Sequence, residues 1–216
     1  MYDVAARQTM LDTQVRPSDV TDRRIHAALM QIPREEFLPK SRHALANAEV
    51  EHKTSDGRYM WRPRDFAKLL QAVQIRPEDE VLDIASGSGY TAAILSQLAA
   101  VVVGLESDEA VVNAASERLN SLDIDNADVV AGKLEEGLPS QAPFDVIFIN
   151  GSVERVPAAW IDQLKTGGRL AVVVREGRAS RARIYVKTGD TASFNNVFDA
   201  TPPALPGFSV PKTFAL

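Results

Sequence analysis

The sequence has no cysteine, which excludes disulfides, a thiol nucleophile and a thiolate metal site and suits a reducing compartment. Histidine is scarce too. His26, His43 and His52 lie near the start without metal-ligand spacing, so each reads as a surface or packing residue. Long apolar runs are missing. The longest, residues 98–105, falls far short of the ~20 residues a membrane helix needs. The first ten residues carry Asp3 and Arg7 and lack the apolar stretch of a secretory leader. There is no basic excess: 24 Lys and Arg against 29 Asp and Glu give a formal charge of −5, which argues against broad nucleic-acid binding. What is present is 216 residues, 45% hydrophobic and 25% charged, enough for a core of its own. The expectation is a soluble, cytoplasmic protein with no membrane and no nucleic-acid partner. Oligomeric state leaves no signal.

Two zones follow. Residues 1–78 read as a helical and loop extension, and 79–216 as an α/β core, together one continuous domain. In the extension, a helix over 4–15 is stopped by Arg16 and Pro17. Thr21 caps a second helix with Ile25, Ala28, Leu29 and Ile32 on one face, ended by Pro33. Residues 47–62 read as a long loop, and Pro63 opens a helix burying Phe66, Leu69, Leu70 and Val73.

The core alternates β-branched runs with helical stretches, the pattern of a parallel sheet with crossover helices. Strands are expected at 80–84, 101–105, 128–131, 144–150 and 169–174. Helices are expected at 90–98, 108–122 (capped by Asp108) and 157–164. Residues 183–187 and 194–198 flank Gly189 and Asp190 as a hairpin. Residues 175–183, with four arginines and Gly177, read as a solvated loop, or alternatively as a phosphate or carboxylate contact.

The strongest local signal is Val81-Leu82-Asp83-Ile84-Ala85-Ser86-Gly87-Ser88-Gly89-Tyr90. A buried strand feeds a glycine turn that opens a helix, where free N–H groups face a ligand close to the backbone. Glu106 ends the next strand, placed to accept both hydroxyl hydrogens of a ribose. Together these point to a nucleoside-containing cofactor. The segment Gly87-Ser88-Gly89-Tyr90-Thr91-Ala92 also fits the dinucleotide pattern G-x-G-x-x-G/A, so a nicotinamide dehydrogenase is a competing reading. Asp83 beside the turn favours a cation: unit charges ~4 Å apart interact by roughly 4 kcal/mol at an effective dielectric of 20, and a pyrophosphate would be repelled. S-adenosyl-L-methionine carries a sulfonium and an ammonium and no phosphate. Asp83 as a turn cap is the alternative.

Longer stretches resemble the protein-L-isoaspartate O-methyltransferase family. Residues 32–39, Ile-Pro-Arg-Glu-Glu-Phe-Leu-Pro, are similar to the family's V-P-R-E-x-F-V-P, and residues 81–90 to V-L-E-I-G-T-G-S-G-Y. Residues 142–147 resemble A-P-F-D-x-I, and 163–170 resemble Q-L-K-x-G-G-R-L. Residues 208–211 loosely resemble the terminal F-V-P-L. The resemblance implies a Rossmann-like, doubly wound, mostly parallel seven-stranded sheet with an antiparallel C-terminal hairpin and an N-terminal helical extension. It implies S-adenosyl-L-methionine as cofactor and a protein or peptide substrate with an isoaspartyl or other carboxylate acceptor. The cofactor residues it implies are Met60, Asp83, Ala85, Ser86, Gly87, Ser88, Gly89, Glu106, Ser107, Lys133, Leu134 and Asn150. Those at the reacting end are Arg58, Tyr59 and Trp61. The chain departs from the family at three places: Gly57-Arg58-Tyr59-Met60-Trp61-Arg62-Pro63 stands where the family has G-Q-T-I-S-Q-P, Lys133 stands for an aspartate, and Ala85 for the first loop glycine. The same fold and cofactor with a different acceptor, or without repair activity, is therefore the second reading.

Methyl transfer to a carboxylate needs an ionised oxygen behind the methyl group and no general base. Arg58 and Arg62 are candidates for holding that carboxylate by bidentate pairing, or are solvated loop residues. Trp61 can stack near a sulfonium, plug the acceptor channel, or bury against the sheet. Tyr90 reads as a packing residue. Asn150 reads as a ligand at a strand end or as a turn residue. Lys133 offers donors at the adenine edge or points to solvent.

Overall fold

The structure is a computed structural model and describes residues 3–210; Pro211 of the terminal resemblance lies outside the described residues. The helices are α1 (Val4–Met10), α2 (Arg23–Gln31), α3 (Pro63–Val73), α4 (Tyr90–Ser96), α5 (Glu109–Ser121) and α6 (Ala158–Asp162). A two-stranded hairpin, β1 (His52–Lys53) and β2 (Tyr59–Met60), precedes the main sheet. The β-branched runs become β3 (Glu80–Ile84), β4 (Val101–Glu106), β5 (Ala127–Ala131), β6 (Phe144–Val153), β7 (Leu164–Glu176), β8 (Ala179–Thr188) and β9 (Thr191–Asp199). They pair in the order β5-β4-β3-β6-β7-β8-β9; the first five are parallel, and β8 and β9 return antiparallel. The expected doubly wound sheet with a C-terminal hairpin is what forms.

Strand alternation divides the core. Val81, Val146, Phe148, Ala171 and Val173 face one cluster, shared with Met10, Leu11, Ile25, Leu29, Phe66, Leu70, Ile94 and Leu119. Leu82, Ile84, Ile147, Ile149, Leu170 and Val172 face the other, around Trp160. A parallel strand covered on both faces is apolar at nearly every position, and within Val81–Ile84 only Asp83 interrupts the run. The N-terminal helices thus pack in the same core as the sheet.

Several local expectations are corrected. Pro17 does not stop the first helical path: α1 runs into a π-helical turn, Leu11–Val15, and then a 3₁₀ turn, Arg16–Ser18. Proline sits in the first residues of that new turn, where its missing N–H is not needed. Asp22, not Thr21, caps α2, its carboxylate accepting from Arg24 N at 2.8 Å, while the Thr21 N–H goes to Gln71 Oε1. The expected loop 47–62 contains the β1–β2 hairpin, because the Asp56 carboxylate accepts from the Thr54 hydroxyl and from Arg58 N and so closes a turn. Residues 175–183 are not a loop either. Gly177, at φ +62°, turns β7 directly into β8, and Arg183 pairs with Glu176 at 2.7 Å.

Asp108 does cap α5, accepting from Ala110 N at 2.8 Å. Asp108→Ala is expected to cost about 1 kcal/mol, lowering the melting temperature by about 2–4 °C in a chain of this size. An unchanged thermal melt would show that the cap contributes nothing.

Candidate active site

Three neighbouring strands, β4, β3 and β6, bring Glu106, Asp83 and Asn150 to their carboxyl ends. There β3 lies between β4 and β6 and the winding reverses direction. Ligands of open α/β sheets bind in that crevice. Ala85 and Gly87 both adopt positive φ, +62° and +56°, in the turn that leads to Gly89 at the head of α4. Alanine in that conformation costs on the order of 1 kcal/mol, strain that the family's glycine would avoid.

Asp83 is fully buried. One oxygen accepts from the Ser86 hydroxyl at 2.7 Å, the other from Asn150 Nδ2, and Asn150 Oδ1 accepts from the Thr91 hydroxyl at 2.7 Å. Burial, with Glu106 nearby adding to it, pushes the Asp83 carboxyl up to about 8 against the opposing hydrogen bonds. Burial thus favours the protonated form of Asp83 in the ligand-free chain. A cation in the crevice would favour its ionised form. Asn150 is a strand residue locked to Asp83, so the turn reading is set aside.

Glu106 is also buried, at 1% side-chain exposure, and its carboxylate has four donors. Oε1 accepts from Arg58 Nε and Gly87 N, both at 2.9 Å, and Oε2 from Arg58 Nη2 at 2.7 Å and Ser107 N at 3.0 Å. Arg58, expected to face an acceptor, instead holds the acid expected to hold a ribose. Arg62, its expected companion, pairs with Glu51 at 2.6 Å.

Trp61 is buried and its carbonyl accepts from Arg34 Nη2 at 2.8 Å. Tyr59 is 41% exposed, while Met60 is buried. Arg58, Tyr59, Trp61, Asn150 and the 203–206 segment line a recess of about 60 Å³. Over the glycine turn, Arg58, Met60, Ala85, Ser86, Gly87, Ser88 and neighbours leave only about 20 Å³. On the other side of Arg58 a cleft of about 1290 Å³ opens, lined by Ser107, Lys133, Leu134, Val156 and Phe208 among others. Small-molecule sites run to roughly 300–1,000 Å³, so the cleft has room for a nucleobase and the turn, in this arrangement, has none for a sugar. Lys133 sits at the cleft's rim, exposed and paired with Glu136 at 2.7 Å. Trp160 Nε1 donates to Leu134 O at 2.7 Å and fixes the wall.

Tyr90 packs as expected, against Phe37 and Phe66, with the Arg34 guanidinium 4.9 Å from its ring centre. His26 and His43 bond backbone carbonyls and His52 is buried. Among the described residues no histidine or carboxylate cluster could hold a metal, and no helix is long and apolar enough to cross a membrane.

Sequence reasoning missed three groups. Arg34 is fully buried, donating to Ala46 O and Trp61 O at 2.8 Å each, and so ties the 47–62 segment to the core. Arg7 and Glu35 form a buried pair at 3.0 Å. The charged stretch Arg34-Glu35-Glu36 between apolar residues was the available signal. Thr91 was passed over because a hydroxyl inside a helix gives no sign of what it faces.

The donor set suits a cationic nucleoside: a buried acid that can ionise, a second acid at a strand end, and a glycine turn. Comparison with known proteins agrees. A sequence model of the protein-L-isoaspartate(D-aspartate) O-methyltransferase family matches residues 5–201. A protein-L-isoaspartate O-methyltransferase of Koribacter versatilis is 39% identical over 180 residues, 83% of this chain and 80% of its own. One from Roseiflexus castenholzii is 34% identical over 193 residues, 89% of this chain and 88% of its own. A solved protein-L-isoaspartate O-methyltransferase superposes with a TM-score of 0.80 at 27% identity, over 93% of this chain and 66% of its own. A Plasmodium falciparum structure in complex with S-adenosyl-L-homocysteine, 19% identical, shares the fold with a TM-score of 0.78 over 95% of this chain and 98% of its own. The chain belongs to the protein-L-isoaspartate(D-aspartate) O-methyltransferase family.

Proposed function

We propose that the protein is an S-adenosyl-L-methionine-dependent O-methyltransferase that methylates an isoaspartyl carboxylate of damaged protein or peptide. The observation that carries this reading is Asp83 and Glu106 at the ends of adjacent strands β3 and β4, flanking the glycine turn. The cofactor, when bound, supplies a methyl group made electrophilic by a sulfonium. In this chain Asp83, with Ser86 and Asn150, would meet the cationic amino-acid end, and Glu106 the sugar hydroxyls. Ser107, Lys133 and Leu134 border the space for the base, and Met60 and the 85–89 turn cover the middle.

The acceptor carboxylate is ionised at neutral pH, so the chain needs to position it and exclude water rather than remove a proton. Arg58, Tyr59 and Trp61 line the recess beside Asn150 where it would enter. The fold of residues 1–78 against the sheet supports reading both zones as one domain. Net charge −5 and the absence of cysteine support a cytoplasmic enzyme that does not act on nucleic acid.

Methyl transfer from labelled S-adenosylmethionine to an isoaspartyl peptide, against the same peptide with ordinary aspartate, tests the reading. Turnover of the isoaspartyl form alone is expected. Cofactor binding with no turnover would remove the repair activity and leave the second reading, a different acceptor, which the bulky Tyr59 and Trp61 in place of hydroxyl residues favour.

A further inference from the structure

We propose that Arg58 fills the sugar subsite of the ligand-free chain, that the cofactor's ribose displaces it from Glu106, and that the freed guanidinium then receives the acceptor carboxylate. Binding would thus be ordered, cofactor before acceptor. This deepens the function proposed above and rests on it.

The geometry is that of a substitution. A ribose diol offers two O–H donors to one carboxylate; the guanidinium of Arg58 offers two N–H donors, at 2.9 and 2.7 Å, one to each oxygen of Glu106. Its Nη2 also reaches Ser107 Oγ at 3.4 Å. The aliphatic stem lies across the glycine turn: a Cβ built on Gly87 would meet Arg58 Cβ at 3.2 Å and Cγ at 3.3 Å. The approach that glycine opens to a ligand is thus taken by the chain's own arginine, leaving about 20 Å³ over the turn.

The same residue is poised to leave. Its side chain is 17% exposed and borders the 1290 Å³ cleft. It stands on a tip between two-residue strands, held by Thr54 N to Arg58 O at 3.0 Å and by the Asp56 carboxylate. Asp56 Oδ2 is buried there without a hydrogen-bond partner, so the closed arrangement leaves an acceptor unsatisfied. Departure of Arg58 leaves each oxygen of Glu106 with a backbone donor, Gly87 N or Ser107 N. Among the described residues, Arg58 is also the one cation lining the recess beside Tyr59, Trp61 and Asn150, where a carboxylate acceptor would need a counter-charge.

The apparent affinity of a site closed most of the time is reduced by the open fraction. Calorimetric titration with S-adenosylhomocysteine should therefore show Arg58→Gln binding about tenfold or more tighter than wild type, with Arg58→Lys, which keeps the charge but not the fork, between them. An isoaspartyl peptide should bind the wild type only with S-adenosylhomocysteine present, and Arg58→Gln in neither condition. Equal or weaker S-adenosylhomocysteine binding by a folded Arg58→Gln overturns the displacement while leaving the enzyme reading intact. Peptide binding to the ligand-free wild type overturns the order. If neither protein binds S-adenosylhomocysteine, the displacement and the proposed cofactor both fall.

Discussion

Asp83→Asn is expected to stabilise the protein at alkaline pH by on the order of 5 kcal/mol relative to wild type. The carboxyl titrates near 4 in an unfolded chain and is pushed up to about 8 by burial in the folded one. The folded state therefore holds one more proton than the unfolded state across that window. Its contribution to stability is whole below about pH 4, declines by about 1.4 kcal/mol per unit as pH rises, and is gone above about 8. Asparagine accepts from Asn150 and can donate to the Ser86 hydroxyl, so it keeps the network and removes the titration. Melting curves of the two proteins should diverge steadily from pH 5 to pH 9; parallel curves would show that Asp83 is charged throughout. The same proton governs ligand binding. A cation meeting Asp83 must expel it, so S-adenosylmethionine affinity should rise with pH up to about 8 in the wild type and stay flat in the variant.

Glu106→Ala is expected to be the most damaging single change at the site. It strands the buried Gly87 N–H and the partly buried Ser107 N–H and removes the partner of Arg58. Losing one side of such a buried network costs about 2–4 kcal/mol, read as a fall in the urea midpoint. Its effect on ligand is cleanest in the Arg58→Gln background, where no guanidinium competes. There, loss of two hydrogen bonds to a charged acceptor should weaken S-adenosylhomocysteine binding about a hundredfold. An affinity within a few-fold would mean that the sugar does not meet Glu106. Because Glu106 is one cause of the raised Asp83 carboxyl, the alkaline loss of stability should also finish at a lower pH in this variant.

Much of this was written in the chain. Runs such as Val81–Ile84 and 144–149, apolar except at Asp83 and Asp145, fit strands covered on both faces, and the turn at 85–89 followed by Glu106 marks a candidate site at their carboxyl ends. These signals are local: side-chain period, glycine conformation and cap chemistry act within a few residues. The charge state of Asp83 and the partner of Glu106 were not legible. Both depend on groups far apart in sequence, Asn150 on β6 and Arg58 on the β1–β2 tip, that meet only once the sheet is wound. Buried Arg34 escaped notice for the same reason, since its carbonyl partners lie 12 and 27 residues away. The sequence determined which side chains end at the crevice. The tertiary structure alone decided which are charged, which are already taken and how much room remains, because desolvation and ion pairing are set by what surrounds a group, and not by its neighbours along the chain.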